Sequence, residues 1–201
     1  MIVGYGEMIR DIKEENNEEN INVIIDEAKR LSTLVDDLID ISMMEEGNVE
    51  IHKAKTSINA MLESVYHQYE KYCEAQNVDF KLSLADDLQV EIDSHRIMQV
   101  LYNFINNSLY HNDSQKQIII LGSEIINGTH RIYVYDNGKG IDPENIDKVW
   151  DRYYKLNEEH KRQHIGSGIG LSLSKQILIA HNIKYGVESK LGEYCKFYFD
   201  I

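Results

Sequence analysis

The feature that most constrains this chain is a change in the spacing of its apolar residues near Gly47. Before that glycine the spacings alternate between three and four, as on a helix face that packs against other helices. The positions of this heptad seam are Ile21, Ile24, Ala28, Leu31, Val35, Leu38 and Ser42. Residues 4–13 are typical of the end of another helix and residues 14–20 of a connector, which predicts a helical hairpin over 1–46. Two helices bury little surface alone, so we expect the hairpin to form a four-helix homodimer.

Beyond Gly47 the pattern becomes a mixture of helices and strands. Apolar periodicity predicts helices over 57–75, 94–110 and 170–180, the first with Ser57 as its N-cap. Alternation predicts strands over 78–84, 88–92, 117–126, 130–136, 184–189 and 194–201. Residues 85–87 look like a turn joining two of these strands, and Asn127-Gly128 predicts a hairpin. The mixture predicts an α+β sandwich, with domains over 1–48 and 49–201.

Charge and composition narrow the classes of function. The net charge is −13, and residues 1–50 alone hold fourteen acidic and four basic residues. Because phosphate binding needs clustered Lys and Arg, we expect no nucleic-acid partner and no direct membrane contact. No run approaches roughly 18 apolar residues, and the first residues do not follow the pattern of a secretory signal. Cys73 and Cys195 form no CxxC pair, so we expect a cytoplasmic location.

Two amide side chains on the 94–110 helix are the first candidate site. Asn103 and Asn107 are four residues apart and project from one face of the helix. Amide oxygens suit a hard cation such as Mg²⁺, which keeps waters and substrate phosphates as its other ligands. Plain surface amides are the alternative.

A carboxylate followed by glycines is the second candidate. Asp136-Asn137-Gly138-Lys139-Gly140 comes directly after a predicted strand. The aspartate can accept a hydrogen bond from a base amino group, and the glycines let backbone approach a ligand closely. An ordinary turn at the Asn-Gly pair is the alternative.

A glycine-rich helix start is the third candidate. Gly166-Ser167-Gly168-Ile169-Gly170 opens the helix over 170–180, where backbone N–H groups can bind phosphate. No Gly-Lys-Ser/Thr follows, and no short βαβ unit surrounds the segment, which excludes the Walker and dinucleotide patterns. A flexible loop is the alternative.

In this order, the three segments resemble the catalytic ATP-binding domain of sensor histidine kinases, in the wider family that includes DNA gyrase and mismatch-repair ATPases. The resemblance covers essentially the whole chain. Residues 99–107 resemble the N box, 136–140 and 166–171 the two glycine boxes, 150–155 the aromatic F box, and His181 with 189–192 the closing segment. The hairpin at 1–46 resembles the dimerisation and phosphoacceptor helices, with residues 4–7 just after the phosphoacceptor histidine. The fold implied is a two-layer α/β sandwich, the Bergerat ATP-binding fold, preceded by a helical hairpin.

The resemblance also implies roles for single residues, with ATP and Mg²⁺ as cofactors. Asn107 would coordinate the Mg²⁺ that bridges the phosphates, and Asn103 would contact phosphate or the waters of the ion. Asp136 would accept from the adenine amino group, in a pocket shaped by Gly138 and Gly140.

A lid over the nucleotide is implied for residues 155–167. Gly166, Gly168 and Gly170 would hinge the lid and donate N–H groups to phosphate. Arg152 and Lys155 would approach the terminal phosphate. Trp150 and Tyr153 would anchor the lid, with ordinary core packing as the alternative for both. The implied nucleotide-binding set is completed by His111, Lys139, Ile141, Ser167, Ile169 and Leu171.

The implied reaction is transfer of the γ-phosphoryl group of ATP to a histidine, followed by relay to an aspartate of a response regulator receiver domain. In the gyrase-like branches a glutamate one turn before the metal asparagine acts as general base for water. Asn103 occupies that position here, and an amide cannot take a proton. The asparagine therefore favours phosphoryl transfer over hydrolysis.

Three departures from the family pattern stand out. The histidine closest to the N-terminus is His52, so the phosphoacceptor has no match. We expect the sequence to begin just downstream of it and not to autophosphorylate. A protein that lacks this histidine naturally is the alternative. Membrane anchoring of the full-length protein is left open.

Tyr110 stands where the family often has Lys or Arg, with His111 as a candidate replacement. Tyr194 stands where a structural glycine is expected, so we expect a local change there.

Two other functions fit parts of the sequence. A non-catalytic nucleotide-binding and dimerisation module would explain Tyr110 and the missing histidine. A serine kinase resembling anti-sigma factors would share the ATP-binding segments, but the heptad hairpin argues against it.

Overall fold

The structure is a computed structural model that describes residues 17–46, 50–154 and 168–201. The chain divides into two compact units between Ser42 and Met43. The domain boundary expected after residue 48 stays a prediction. The first helix of the predicted hairpin, residues 4–13, lies outside the described residues. No helix in the described ranges is both long and apolar enough to cross a bilayer.

Helix α1 spans Asn17–Glu45. It begins inside the segment 14–20 that the sequence predicts as a connector, so that prediction is wrong for residues 17–20. Glutamate, which is abundant there, is a good helix former, and this explains the earlier start. Three seam residues, Ile21, Leu31 and Val35, keep 43%, 48% and 54% of their surface exposed. Helix α1 therefore presents part of its apolar seam to solvent.

The second unit is built on a five-stranded sheet. The strands in chain order are β1 Ala54–Ser57, β2 Asp79–Ser83, β3 Gln89–Ile92, β4 Ile118–Ile126, β5 Thr129–Asp136, β6 Lys184–Lys190 and β7 Tyr194–Asp200. Five of them form one sheet in the order β2-β4-β5-β7-β6. Strand β2 runs parallel to β4, and the other neighbours are antiparallel. The hairpin at Asn127-Gly128 is confirmed, with φ of 50° and 82° as a tight turn requires.

The strands β2 and β3 do not pair with each other, contrary to the turn predicted between them. Strand β3 pairs antiparallel with β1, which the sequence analysis missed. Asp87, inside the expected turn, accepts hydrogen bonds from the Ser57 hydroxyl at 2.9 Å and the Asn59 N–H at 3.0 Å. These bonds tie residue 87 back to the start of the preceding helix, Ile58–Ala75, so the segment leads the chain away from β2.

Three helices cover one face of the sheet: α2 Ile58–Ala75, α3 Ser94–His111 and α4 Gly170–Ala180. Ser57 caps α2 by accepting from the Ala60 N–H at 3.1 Å, which confirms the predicted N-cap. Asp93 caps α3 in the same way through the N–H of Arg96. Phe104 of α3 is fully buried and packs on Phe197 of β7, with ring centroids 5.3 Å apart. The predicted two-layer α/β sandwich is confirmed.

Candidate functional site

Polar contacts bring four separate segments of the chain together at one edge of the helix layer. The Ser108 hydroxyl of α3 contacts Asp136 at the end of β5. The Asn103 amide, one turn before Asn107, contacts Gly170 at the start of α4. The Tyr153 N–H donates to the Gly168 carbonyl at 2.9 Å. The segments singled out in the sequence therefore adjoin one another in the fold.

Asp136 is the buried acid of this site, with 5% of its surface exposed. One carboxylate oxygen, Oδ2, accepts from the Ser108 hydroxyl at 2.8 Å, and Oδ1 accepts from the Gly138 N–H at 3.0 Å. Burial raises the pKa of Asp136, while these two hydrogen bonds act in the opposite direction. Cys195 lies across the ladder from Asp136, and burial together with this carboxylate raises the pKa of its thiol.

Gly138 packs directly beside the carboxylate, where no side chain fits. A Cβ at this position would lie 2.8 Å from Asp136 Oδ1 and 3.0 Å from Asn112 Cα. Neither neighbour has freedom to move, since the carboxylate is held on both oxygens and the other atom is backbone. The position therefore requires glycine so that the loop can pack against Asp136 and the end of α3.

The loop after Asp136 is anchored to the turn between β6 and β7. The Ile141 N–H donates to the Ser189 hydroxyl at 2.8 Å, and that hydroxyl donates to the Tyr194 carbonyl at 2.7 Å. The Gly192 N–H donates to the Lys139 carbonyl at 2.6 Å. Tyr194, which replaces the expected glycine, stacks on Tyr135 with ring centroids 5.8 Å apart. The segment 189–192 thus supports the loop. From the sequence, this segment was known only to resemble the closing segment of the family.

Asn137 holds the same loop from the other side. Its Oδ1 accepts from Asn112 Nδ2 at 3.0 Å and from the Ile118 N–H at 2.8 Å, and its Nδ2 donates to the Lys116 carbonyl at 2.9 Å. Asn112, which ends α3, is itself buried. Sequence reasoning treated Asn137 only as a turn residue. The tendency of asparagine side chains to bind nearby backbone could have pointed to this role.

The two amides of α3 differ in their surroundings. Asn103 Nδ2 donates to the Gly170 carbonyl at 3.0 Å and to Ser174 Oγ at 3.2 Å, which joins α3 to α4. The side chain of Asn107 is half-buried and has no hydrogen-bond partner among the described residues. Its neighbour Asn106 accepts from the Tyr69 hydroxyl at 3.2 Å instead. Of the two predicted amides, only Asn107 keeps its whole side chain available to a ligand.

The start of α4 offers backbone donors. Ile169 is its N-cap residue and provides no side-chain hydrogen bond to the first turn. Gly168 adopts a φ of +71°, which favours glycine, and a Cβ there would lie 3.1 Å from Tyr153 Cα. Ile169 is buried, whereas Gly168, Gly170 and Leu171 are half-buried. The first N–H groups of a helix have no partner within the helix and favour anions, so phosphate binding at this helix start stays a prediction.

Two candidate residues with basic side chains, His111 and Lys139, lie near the end of α3. His111, on its last turn, has a pKa below the ordinary value because burial of the ring and the positive charge of Lys139 both disfavour protonation. A neutral imidazole can donate from one nitrogen and accept on the other. Tyr110 beside it keeps 60% of its surface exposed. Lys155, Gly166 and Ser167, which were also predicted to bind nucleotide, lie outside the described residues.

The aromatic segment 150–154 contains both buried and exposed side chains. Trp150 is buried against Tyr185 and Phe197, with ring centroids 4.8 Å and 5.6 Å away, so it packs in the core. Tyr153 instead exposes 62% of its surface at a φ of 60°, and Arg152 beside it is exposed. Because the Tyr153 N–H binds the Gly168 carbonyl, the two ends of the segment between them meet beside the site.

Two family models match the chain. The His Kinase A (phospho-acceptor) domain matches residues 1–47. The histidine kinase-, DNA gyrase B-, and HSP90-like ATPase family matches residues 92–201, more than half of the chain. The chain belongs to this ATPase family. The resemblance to the catalytic domain of sensor histidine kinases, with part of the phosphoacceptor domain, is confirmed.

Similar proteins support the same family. The sensor protein SrrB of Staphylococcus aureus strain N315 is 31% identical over 197 residues, which is 96% of this chain and 33% of SrrB. This chain therefore spans about a third of the length of the curated relatives that it matches.

Two solved histidine kinases have the same fold. The histidine kinase AdeS of Acinetobacter baumannii matches with a TM-score of 0.80 at 21% identity, covering 100% of this chain and 92% of AdeS. The histidine kinase ThkA in complex with the response regulator protein TrrA matches with a TM-score of 0.75 at 26% identity, covering 100% of this chain and 57% of that one.

Proposed function

We propose that this chain is the ATP-binding catalytic portion of a sensor histidine kinase. In the full-length protein it transfers the γ-phosphoryl group of ATP to a histidine, from which the group passes to an aspartate of a response regulator. The observation that carries the proposal is the buried, doubly hydrogen-bonded carboxylate of Asp136, packed against Gly138 at a position that admits no side chain. Ser108, which binds this carboxylate, directly follows Asn107 on α3, so one helix joins the proposed base site to the proposed metal ligand.

The adenine base fits Asp136. Each carboxylate oxygen accepts one hydrogen bond from the protein and has a second lone pair. An exocyclic amino group is a donor and can occupy such a lone pair. Gly138 and Gly140 would shape the pocket for the base, since a Cβ would collide with Asp136 at the first position and with the Lys190 carbonyl at the second.

The phosphates and Mg²⁺ fit the opposite end of the site. Asn107 would hold the ion through its amide oxygen, since it has no partner among the described residues. When bound, Mg²⁺ neutralises phosphate charge and orients the terminal phosphate. The backbone N–H groups at Gly168 and Gly170 would bind phosphate oxygens. Lys139, His111 and Arg152 would add contacts, and Lys155 with residues 166–167 would complete the set.

The roles of Asn103 favour transfer over hydrolysis. Its Nδ2 is engaged by Gly170 and Ser174, and its amide oxygen cannot accept a proton. The side chain therefore holds α4 against the metal-binding helix but does not activate water. Phosphoryl transfer then depends on bringing a histidine into line with the terminal phosphate.

Two partners are proposed for this chain, a second copy of itself and a receiver domain. The His Kinase A match and the exposed seam of α1 support a homodimer through residues 1–46. The ThkA relative forms a complex with a response regulator, which supports a receiver domain as the second partner.

A phosphotransfer assay with paired asparagine variants tests the proposed function. The chain is extended with a histidine-containing helix before Gly4 and incubated with Mg²⁺ and ATP radiolabelled at the γ-phosphate. We expect acid-labile phosphohistidine in the extended wild type, at least a hundredfold less in Asn107→Ala, and near wild-type levels in Asn106→Ala. Equal labelling of both variants would contradict the role of Asn107, and an unlabelled wild type would favour a non-catalytic module.

A further inference from the structure

Ser108 occupies an apolar position of α3 with a polar side chain. The buried residues of this helix are Ile97, Val100, Leu101, Phe104, Ile105 and Ser108. Their spacing is that of one helix face, and Ser108 is the only hydroxyl among them. Burying a hydroxyl without a partner is unfavourable. A serine with 1% of its surface exposed therefore needs a hydrogen bond that compensates for its burial.

Asp136 provides that hydrogen bond. The Ser108 hydroxyl donates to Asp136 Oδ2 at 2.8 Å, and the Gly138 N–H donates to Oδ1 at 3.0 Å. Two donors on different oxygens fix the plane of the carboxylate, which a single bond would leave free to rotate. A bond from a hydroxyl to a carboxylate is charge-assisted and stronger than one between neutral groups.

This arrangement makes Asp136 an acceptor toward a ligand. The hydroxyl of Ser108 has one hydrogen, and it points at Oδ2. Both protein contacts of the carboxylate are thus donors, which matches an ionised group that accepts from a third donor. A base that offers an amino group fits such an acceptor, whereas a base that offers a carbonyl leaves two acceptors facing each other.

We propose that Ser108 is a positioning residue that fixes the Asp136 carboxylate for the 6-amino group of adenine and so sets the preference for adenine over 6-oxopurines. The proposal rests on the proposed function, because it requires Asp136 to contact the base. Ser108 itself acts through Asp136 and lies one residue beyond the proposed metal ligand.

The test compares two nucleotides that differ at position 6 of the base. Calorimetric titration with ADP and with inosine diphosphate gives the ratio of their dissociation constants for each variant. We expect wild type to prefer ADP, and Ser108→Ala to lower that preference about tenfold or more, mainly through weaker ADP binding. Ser108→Cys fills nearly the same volume with a weak donor, so we expect a similar loss. Ser108→Thr keeps the hydroxyl and is expected to retain the ratio within about threefold.

A second buried serine supplies the matched control. Ser123 on β4 is also buried, and its hydroxyl accepts from the Ala85 N–H at 2.9 Å, away from Asp136. Ser123→Ala is expected to lower the melting temperature without changing the ratio. An unchanged ratio in folded Ser108→Ala and Ser108→Cys, or a ratio lost in folded Ser108→Thr, would overturn the proposal.

The same titrations separate this inference from the proposed function. If Asp136→Asn loses the preference for ADP while the Ser108 variants keep it, Asp136 binds the base without help from Ser108. In that case the inference fails and the proposed function stands. If wild type binds neither nucleotide, both fail.

Discussion

Asp136 is subject to two opposing influences on its protonation. Burial disfavours its charge and raises its pKa, whereas the Ser108 and Gly138 donors favour the charged form. The fold therefore holds a carboxylate in a place where a neutral amide would be easier to accommodate. Residues that serve binding at the expense of stability are common at functional sites.

The first prediction concerns the stability of Asp136→Asn, which we expect to melt above wild type at pH 7. The asparagine can still accept from Gly138 and can donate to Ser108. Because the pKa of Asp136 is raised above 3.8, the folded protein binds this proton more readily than the unfolded chain. Stability from this group is therefore lost as pH rises through the raised pKa.

The gain in melting temperature should accordingly shrink as pH falls toward about 4, because the folded protein then takes up a proton at Asp136 and recovers the stability that ionisation costs. Melting curves of both proteins by circular dichroism between pH 7 and pH 4 provide the check. A gap that widens on acidification would show that the aspartate is stabilised by its site, contrary to this account.

At the scale of elements, one buried histidine joins the ends of two helices. His181 follows the last residue of α4, and its Nε2 accepts from the Asp93 N–H, at the N-cap of α3, at 3.2 Å. Its Nδ1 donates to the Ile177 carbonyl at 2.8 Å, so the ring serves as both donor and acceptor. The two helices that carry Asn107 and Gly170 are thereby fixed at the ends remote from the nucleotide.

Removal of this histidine should destabilise the second unit. We expect His181→Ala to lower the free energy of unfolding by about 2 kcal/mol or more, because a buried N–H and a carbonyl lose their partner. Urea denaturation measures the loss. His67→Ala is the control, since that ring is exposed and its contacts are with Glu70 and the edge of Tyr66 on the same helix. Equal stability of the two variants would contradict the connecting role of His181.

The sequence predicted which segments form helices and strands more readily than which strands pair with each other. The helices of the second unit and the Asn127-Gly128 hairpin could be predicted because their patterns are local. Strand β1, with the sequence Ala-Lys-Thr-Ser, has no apolar alternation, so nothing local marked it as a strand. The parallel pairing of β2 with β4 joins segments that are far apart in the chain. The sequence predicted a turn between β2 and β3 because they are neighbours in the chain, but Asp87 in that segment binds Ser57 instead.

The same difference between local patterns and distant contacts applies to the residues of the candidate site. Asp136, Gly138 and Asn107 could be predicted because a family pattern marks them. Ser108 and Asn112 could not, because each acts through a contact that forms only when α3 meets the end of β5. The contact of Asn103 with phosphate or with the waters of the ion stays a prediction, and the bond from its Nδ2 to the start of α4 could not be predicted from a local pattern.

At the scale of the whole molecule, the two units differ in surface. Residues 1–50 hold most of the net negative charge, and α1 within them exposes apolar seam residues. An apolar stripe on an acidic helix is typical of a surface that associates with other helices. The second unit has a buried core of its own.

Disruption of the seam should therefore separate association from nucleotide binding. We expect Leu31→Glu to shift a concentration-dependent dimer toward monomer in analytical ultracentrifugation, because a carboxylate would be buried in an apolar interface. Ser32→Glu adds the same charge next to the seam and should leave association near wild type. ADP affinity should be equal in both variants. A dimer that persists in Leu31→Glu would place the interface elsewhere.

The most direct test of the central claim is calorimetric titration with ATP, with and without Mg²⁺, of wild type, Asp136→Asn and Asp79→Asn. Asp79 is an aspartate on β2 that pairs with Lys81, away from the site. The account predicts micromolar binding, about −8 kcal/mol, that Mg²⁺ strengthens, that Asp79→Asn retains and that Asp136→Asn abolishes. No binding by wild type, or equal binding by both aspartate variants, would contradict it.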